Sequence, residues 1–289
     1  MKIKILIPIY NDWQSVFKLL ENINSEISGL EHEFSAIIVN DASTESRPEI
    51  NLNLNNLNSI KIINMKENRG HARCNAAGLK HIFENEEFDY VIPMDGDGED
   101  RPEEIKQLID NLNYHPDKPI VGERIKRSEG IFFQFCYFAH KIITSTFTGQ
   151  SIKYGNYTCL PKSIVEKMIN EKATWSSFSG SLAKIIKDRA IIPSERGTRY
   201  FGPSKMSFKN LIIHSLSIIS VFRTNVLIRS ILFLLVYIFL IHQNITAIML
   251  IPVILVLTLI ASVFVVSKRE NLEELNESLL NISNIDNLK

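Results

Sequence analysis

The sequence predicts an α/β fold, a mostly parallel, Rossmann-like sheet covered by helices and followed by a C-terminal transmembrane helical hairpin. Three observations predict it. Short apolar runs alternate with stretches of helical periodicity over the first two-thirds of the chain, polar residues collect just after those runs, and the last third holds a long run without charge. In such sheets ligands bind beyond the carboxyl ends of the strands, so the polar residues would share one rim.

The opening run KIKILIPIY is a buried strand. Asp12 is a candidate cap for the helix that follows, where Val16, Leu19, Leu20, Ile23 and Ile27 recur at helical spacing. FSAIIVN is a second strand and ends at Asp41. Residues 42–58 are rich in Asn, Ser and Leu without a clear period, after which SIKIINM is again strand-like. A helix is expected from His71 to Phe83, and YVIPM is a fourth strand leading into MDGDGEDRPEEI.

That last segment crowds carboxylates, and like charges this close stay ionised together only if water, a cation or hydrogen-bond donors compensate them. An EF-hand loop opened at Asp95 would need glycine at its sixth position and glutamate at its twelfth. Asp100 and Lys106 stand there instead, which excludes a calcium loop of that kind. Asp100, before Arg101 and Pro102, is a candidate helix N-cap, and Glu103 and Glu104 suit the positive end of the helix dipole. That capping role leaves Asp95, Asp97 and Glu99 unexplained, with a divalent metal site for a phosphorylated substrate and a solvated loop both open.

The 32 basic and 32 acidic side chains among 289 residues create no global field toward nucleic acid or a membrane surface. Cys74, Cys136 and Cys159 are odd in number and far apart, so they read as reduced core or helix residues rather than a zinc site or disulfide framework.

From Ile245 to Val266 the chain carries no charge and suffices to cross a hydrocarbon layer of about 30 Å, which takes about 20 helical residues. The earlier run SILFLLVYIFLI, Ser230 to Ile241, reaches spanning length only if NVLIR and HQN contribute at its ends, with Arg229 snorkelling to a headgroup. A buried hairpin in a soluble core is the competing reading. The link HQNIT has no Lys or Arg, whereas Lys205, Lys209, Arg223 and Arg229 precede the first span and Lys268 and Arg269 follow the second. The positive-inside rule then puts both flanks in the cytoplasm, making a two-span protein of the cytoplasmic membrane. Pro8, Asn11 and Asp12 interrupt the N-terminal apolar run, so no signal peptide is expected. The expected organisation is a globular domain at 1–206, a juxtamembrane amphipathic helix at 207–226, two spans within 227–267 and a cytoplasmic tail at 268–289. Phe208, Leu211, Ile212, Ser215, Leu216 and Ile219 recur at helical spacing in the juxtamembrane helix, which either lies in the interface plane or packs on the globular domain, and Leu272, Leu275, Leu279 and Ile282 recur at helical spacing in the tail. Docking of that tail on the domain or on another copy of the chain, as a homo-oligomer, are both open.

Taken in order, IPIYND, VNDAST, NRGHARCNAAGL and MDGDGEDRPEEI resemble the nucleotide-sugar-binding half of the family 2 glycosyltransferases, which have a GT-A fold. GERIKRSEG, RGTRYFGPSKMSFKNL and the two spans are similar to the branch containing dolichol-phosphate mannose synthase and bacterial polyprenyl-phosphate glycosyltransferases. The resemblance implies that Pro8, Tyr10 and Asp12 hold the nucleotide, and that Asp41 accepts hydrogen bonds from its base. Asn68, Arg69 and Gly70 would form the loop beneath nucleotide and donor sugar, where glycine allows close backbone approach. Asp95 and Asp97 match the D-x-D pair, serving donor, metal and catalysis together, and Glu99 falls where related synthases carry a glutamine near the metal. Mg²⁺ or Mn²⁺ is the implied cofactor. Arg124, Arg127, Arg196, Arg199, Ser204 and Lys205 match basic segments that would steady the diphosphate or an anionic acceptor, or else rest on anionic lipid.

Asn156 and Thr158 occupy the places of an acidic residue and an arginine in that branch. Because asparagine cannot act as a general base, a hydroxyl acceptor would need a base elsewhere, for which Glu195 and Asp100 are the candidates. A lipid phosphate is already an ionised nucleophile. The activity implied is inverting transfer of a sugar from a UDP- or GDP-sugar to a polyprenyl phosphate at the cytoplasmic membrane face. The alternatives are transfer to a hydroxyl of a lipid-linked glycan or other cell-surface polysaccharide precursor, and a non-catalytic nucleotide-binding membrane scaffold. Trp175 reads as packing or as a sugar-stacking surface, while His71, His140 and His214 lack metal-ligand spacing.

Overall fold

The computed structural model describes residues 1–49, 53–126, 131–203 and 207–289. Strands β1 (Lys2–Ile9), β2 (Glu33–Asn40), β3 (Leu57–Met65) and β4 (Tyr90–Pro93) form where the four apolar runs predict them. They are followed by β5 (Ile120–Lys126), β6 (Thr158–Pro161), β7 (Ala190–Glu195) and β8 (Ile282–Asn287). All eight join one sheet in the order β7-β5-β6-β4-β1-β2-β3-β8. β1 pairs in parallel with β2 and β4, as do β2 with β3 and β5 with β7. β6 runs antiparallel between β4 and β5, and β8 runs antiparallel along β3.

The pleat of β1 explains why its run is apolar at nearly every position: each face of the sheet is covered. Ile3, Ile5, Ile7 and Ile9 enter one core with Leu19 and Leu20 of α1 (Trp13–Glu26) and Ile105 and Leu108 of α3 (Ile105–Leu112). Leu6 enters the other, with Leu79 and Ile82 of α2 (His71–Asn85), Val165 of α5 (Lys162–Ile169) and Leu182 of α6 (Phe178–Ile185). Between α3 and α5, α4 (Ile131–Ile143) leads into a wide helical turn at Thr144–Thr148.

Helices α7 (Phe208–Ser220), α8 (Arg223–Ile241) and α9 (Ile251–Ser267) follow. α8 begins at Arg223, so NVLIR supplies its N-terminal turns, while HQN lies past its end. The two candidate spans, with hydropathies of 2.2 and 3.0, are long and apolar enough to cross a membrane, and only 11% of each is buried, which sets aside a hairpin buried in the core. Arg229 departs from the snorkelling expectation: its Nη1 donates to the Thr146 carbonyl at 3.1 Å. In α7 the buried residues are Ser217 to Ser220, whereas Phe208 and Ile212 of the expected apolar face are exposed.

The tail returns to the sheet. α10 (Leu272–Asn276) and a 3₁₀ turn at Ser278–Asn281 lead into β8, so the sheet takes its edge strand from outside the expected 1–206 domain. The helical spacing of Leu272 to Ile282 therefore spans a helical turn, a 3₁₀ turn and the start of a strand. The cause is the open edge of β3, whose backbone groups β8 satisfies; Lys66 N–H also donates to the Asn281 carbonyl at 2.7 Å.

Candidate active site

The carboxyl ends of β1, β2 and β4 and the N-terminus of α2 open into one cleft of about 1040 Å³. Pro8, Tyr10 and Asp12 line it after β1, Asp41 after β2, and Asn68, Arg69 and Gly70 before α2. Asp95, Asp97 and Glu99 line it after β4, and Arg196 and Arg199 after β7. Sequence reasoning thus brings twelve named residues to one place. Arg124 and Asn156 do not line the cleft, and Arg127, Ser204 and Lys205 lie outside the described residues.

Local hydrogen bonds shape the loops. Asn11, at φ 50°, accepts the N–H groups of Thr44 and Glu45 on its side-chain oxygen, tying the loop after β1 to the loop after β2. Asp41 accepts the N–H groups of Arg69 at 2.9 Å and Gly70 at 2.8 Å; burial nonetheless raises its carboxyl above the ordinary value. Gly70 is needed for its conformation rather than for close protein contact, since φ is 92° and no protein atom lies within 4 Å of where a Cβ would stand.

Two expected caps are otherwise engaged. Asp12 makes no cap bond to α1 and instead binds Arg199. Asp100 makes no cap bond to the 3₁₀ turn Pro102–Glu104; its buried carboxylate accepts the Asp95 N–H at 2.9 Å. Asp12 is taken by a tertiary partner and Asp100 by the backbone of its own loop.

The crowded carboxylates each have a partner. Asp95 stands 3.2 Å from His71 Nε2, Asp97 accepts from Arg199 at 2.8 Å, and Glu99 pairs with Arg196. Burial opposes ionisation of Asp95, but His71 outweighs it and holds the carboxyl well below the usual range. Burial and then the Asp95 charge push Asp97 up to about 6 and Asp100 up to about 8. Burial works against a charged His71 as well, yet Asp95 raises it. The arginines reach this loop because their segment is pinned to it: Gly197 N–H donates to the Glu99 carbonyl at 2.8 Å and Tyr200 N–H to the Asp97 carbonyl at 2.9 Å.

Among the described residues, no three His, Cys, Asp or Glu side chains converge to hold a metal ion. The expected set Asp95, Asp97 and Glu99 is spread over three separate cationic partners. The chemistry of Asp95 and Asp97 still fits Mg²⁺ or Mn²⁺, being hard carboxylate oxygens side by side in the cleft whose mutual repulsion a cation would relieve.

Arg124 and Asn156 touch the acidic loop without lining the cleft. Arg124 lies 3.9 Å from Asp100, and Asn156 contacts both Asp95, at 3.2 Å, and His71, at 2.6 Å. Trp175 is 1% exposed, which makes it a packing residue, and its indole N–H donates to Glu274 at 2.6 Å. Sequence reasoning missed His71, whose position directly after the glycine of NRGHARC was the available signal. It also missed Arg73, His214, Arg269 and Glu274 as cleft-lining residues.

The family model described as "Glycosyl transferase family 2" matches residues 4–163. Glucosyl-3-phosphoglycerate synthase from Mycobacterium tuberculosis, solved with Mn²⁺, UDP and phosphoglyceric acid, superposes with a TM-score of 0.53 at 12% identity, over 78% of this chain and 78% of that one. Its complex with Mn²⁺, UDP and glucosyl-3-phosphoglycerate gives 0.52 at 12% identity, over 78% and 79%. TarS of S. aureus, residues 1–349 with UDP-GlcNAc, gives 0.49 at 14% identity, over 80% and 70%.

Proposed function

The chain belongs to glycosyl transferase family 2 and is a glycosyltransferase of GT-A fold, and from that premise we propose that it transfers a sugar, with inversion, from a nucleotide diphosphate sugar to a membrane-borne polyprenyl phosphate. Family membership sets aside the non-catalytic scaffold. The observation that carries the donor half is the acidic loop, Asp95 and Asp97, at the strand rim inside the same cleft as Asp41 and the Asn68–Gly70 loop. The synthase complexes with UDP and Mn²⁺ or Mg²⁺ support a UDP-sugar donor and a divalent ion.

Tyr10, Asp12 and Asp41 would receive the nucleoside. Each Asp41 oxygen spends one acceptor site on a backbone N–H and keeps another for the base. Asp95 and Asp97 would hold the Mg²⁺ or Mn²⁺, which when bound neutralises charge on the departing diphosphate. Arg196 and Arg199 sit beside those carboxylates, with donors suited to phosphate oxygens.

The acceptor reading rests on what the cleft offers as a base. Asp100 is only 5% exposed, and neither it nor Glu195 lines the cleft. A phosphate acceptor needs neither. The far wall is supplied by Asn210, His214 and Ser217 of α7 and by Arg269 after α9, where a membrane-borne acceptor would arrive. For a hydroxyl acceptor the cleft offers His214, neutral but a weak base because burial pushes its imidazole down to about 4.

The test is a panel of UDP- and GDP-sugars given to the full-length protein in nanodiscs, with Mn²⁺ or Mg²⁺ and either polyprenyl phosphate or lipid-linked sugar. The expected product is a metal-dependent glycosyl phosphate that mild acid cleaves. An acid-stable product formed only from lipid-linked sugar, and lost in His214→Ala, would replace the phosphate reading with the hydroxyl one.

A further inference from the structure

The cations that the sequence assigns to anion binding are largely engaged. Arg196 pairs with Glu99, Arg199 with Asp12 and Asp97, and Arg124 faces Asp100. Two arginines elsewhere in the cleft are in a different state. Arg73, in the first turn of α2, and Arg269, just past the end of α9, both line the cleft, and the Nε of each is buried without a hydrogen-bond partner.

Their surroundings do not neutralise them fully. The Arg73 guanidinium lies 5.4 Å from the centre of the Trp175 ring, and its nearest carboxylate, Glu274, is 3.7 Å away, beyond hydrogen-bond length. Arg269 makes no ion pair among the described residues. Burial and then the charge of Arg269 push Arg73 below its ordinary value, and the opposing pull of Glu274 and Asp41 does not cancel them. Ser176, next to Trp175, is a third such group: it is 3% exposed, lines the cleft, and its Oγ has no partner. Two guanidiniums and a hydroxyl with spare donors in one cleft match the oxygens of a phosphate.

Position selects which phosphate. Arg269 follows the second candidate span directly, and α7, which carries His214 and Ser217, packs against α9. If α9 crosses a bilayer, a tethered headgroup would meet Arg269 at the end of that helix. We propose that Arg73, Ser176 and Arg269 form the subsite for the phosphomonoester of the membrane-borne acceptor, a place that no basic residue singled out in the sequence for acceptor binding occupies. This rests on the reading that the acceptor is a lipid phosphate.

The experiment measures binding rather than turnover, using full-length protein in phosphatidylcholine nanodiscs with a short-chain prenyl monophosphate as probe. The corresponding prenol, phosphatidylglycerol and UDP with Mn²⁺ serve as separate arms. Arg269→Gln is expected to weaken prenyl phosphate about tenfold, the weight of roughly one charge-assisted contact. Arg269→Lys recovers part of the loss, Ser176→Ala loses less, and UDP affinity stays unchanged in all three. Unchanged prenyl phosphate affinity in Arg269→Gln overturns the proposal, as does loss of UDP affinity, which would give the arginine to the donor. Competition by phosphatidylglycerol equal to that of prenyl phosphate overturns it too, leaving a general lipid anchor. If prenyl phosphate binds through Arg269 yet no donor sugar is transferred to it, the subsite stands and the transfer reading falls.

Discussion

Asp97 is pulled in two directions, upward by burial and Asp95 and downward by Arg199, whose guanidinium it accepts at 2.8 Å. Its two proposed duties can be separated by two substitutions. Asp97→Asn keeps the shape and removes the charge, so metal-dependent transfer should fall at least about a hundredfold, on the scale of losing one electrostatic stabiliser, while circular dichroism and thermal melting stay as in the parent. Turnover that survives with its metal dependence intact would take Asp97 out of that role. Arg199→Ala removes the resident counter-charge, so Mn²⁺ should bind the nucleotide-free protein about tenfold tighter by calorimetry, the size of a one-unit electrostatic shift. Equal affinity would mean that the guanidinium does not compete with the ion. These partners also show why single residues read unevenly from sequence. Asp12 and Asp100 carry the residue type and position of helix caps, but Asp12 is taken by Arg199, which only tertiary structure supplies, and Asp100 turns back onto the Asp95 N–H of its own loop. His71 sits inside a motif whose glycine drew the reading, and nothing local announces that Asp95 will stand 3.2 Å from it.

Helix α2 begins in the site and is followed at its far end by Glu86, whose carboxylate is clamped by Lys4 of β1 at 2.8 Å and Lys61 of β3 at 2.5 Å. Burial alone would raise Glu86, but the two lysines outweigh it and lower its carboxyl. A depressed carboxylate stabilises the fold above its unfolded value of 4.5, and the contribution disappears as pH falls through the lower folded value. Glu86→Gln should therefore cost about 3 kcal/mol at pH 7, since it strands the buried Lys4 charge, and the gap from the parent in urea melts should close in acid. A gap independent of pH would rule out the ion pair as its source. Further along, Gly98 has φ 89° and Tyr200 ring atoms 2.4 Å from where a Cβ would stand. Gly98→Ala should displace the Tyr200 ring and loosen the arginine segment, costing about 1–3 kcal/mol, read as a drop in melting temperature together with weaker nucleotide binding. Elements with an apolar run or a helical period were legible, namely the first four strands and α2. β8 was not, because ISNIDN lies on a sheet edge with mostly exposed side chains and is held by backbone pairing. β6 is as short as β4, but TCLP carries a single large aliphatic residue and shows no apolar run of the kind that marks YVIPM.

At the scale of the whole molecule, the pairing of β8 with β3 constrains the membrane topology independently of charge. Residues 57–65 and 282–287 share one sheet, so they must lie on the same side of any bilayer that the helices cross. α8 and α9 stand between them in the chain, and if either spans, both must, with the intervening link on the far side. Lys and Arg counting reaches the same arrangement by a separate route, because HQNIT is free of both while each flank carries them. The same return path also places Glu274 against Trp175 and Asn281 against the Glu67 carbonyl, so the cleft acquires part of its wall only after the hairpin has formed. Both consequences can be read in one labelling experiment on intact and opened cells, with Cys136, the one cysteine that is not buried, replaced by serine. Asn244→Cys should react with a membrane-impermeant maleimide in intact cells. Asn284→Cys, on exposed β8, should react only after the membrane is opened. Protection of position 244 in intact cells would mean that the helices lie along the surface instead of crossing it. Labelling of both positions from outside would contradict a cytoplasmic catalytic domain, because the sheet cannot be divided between two compartments.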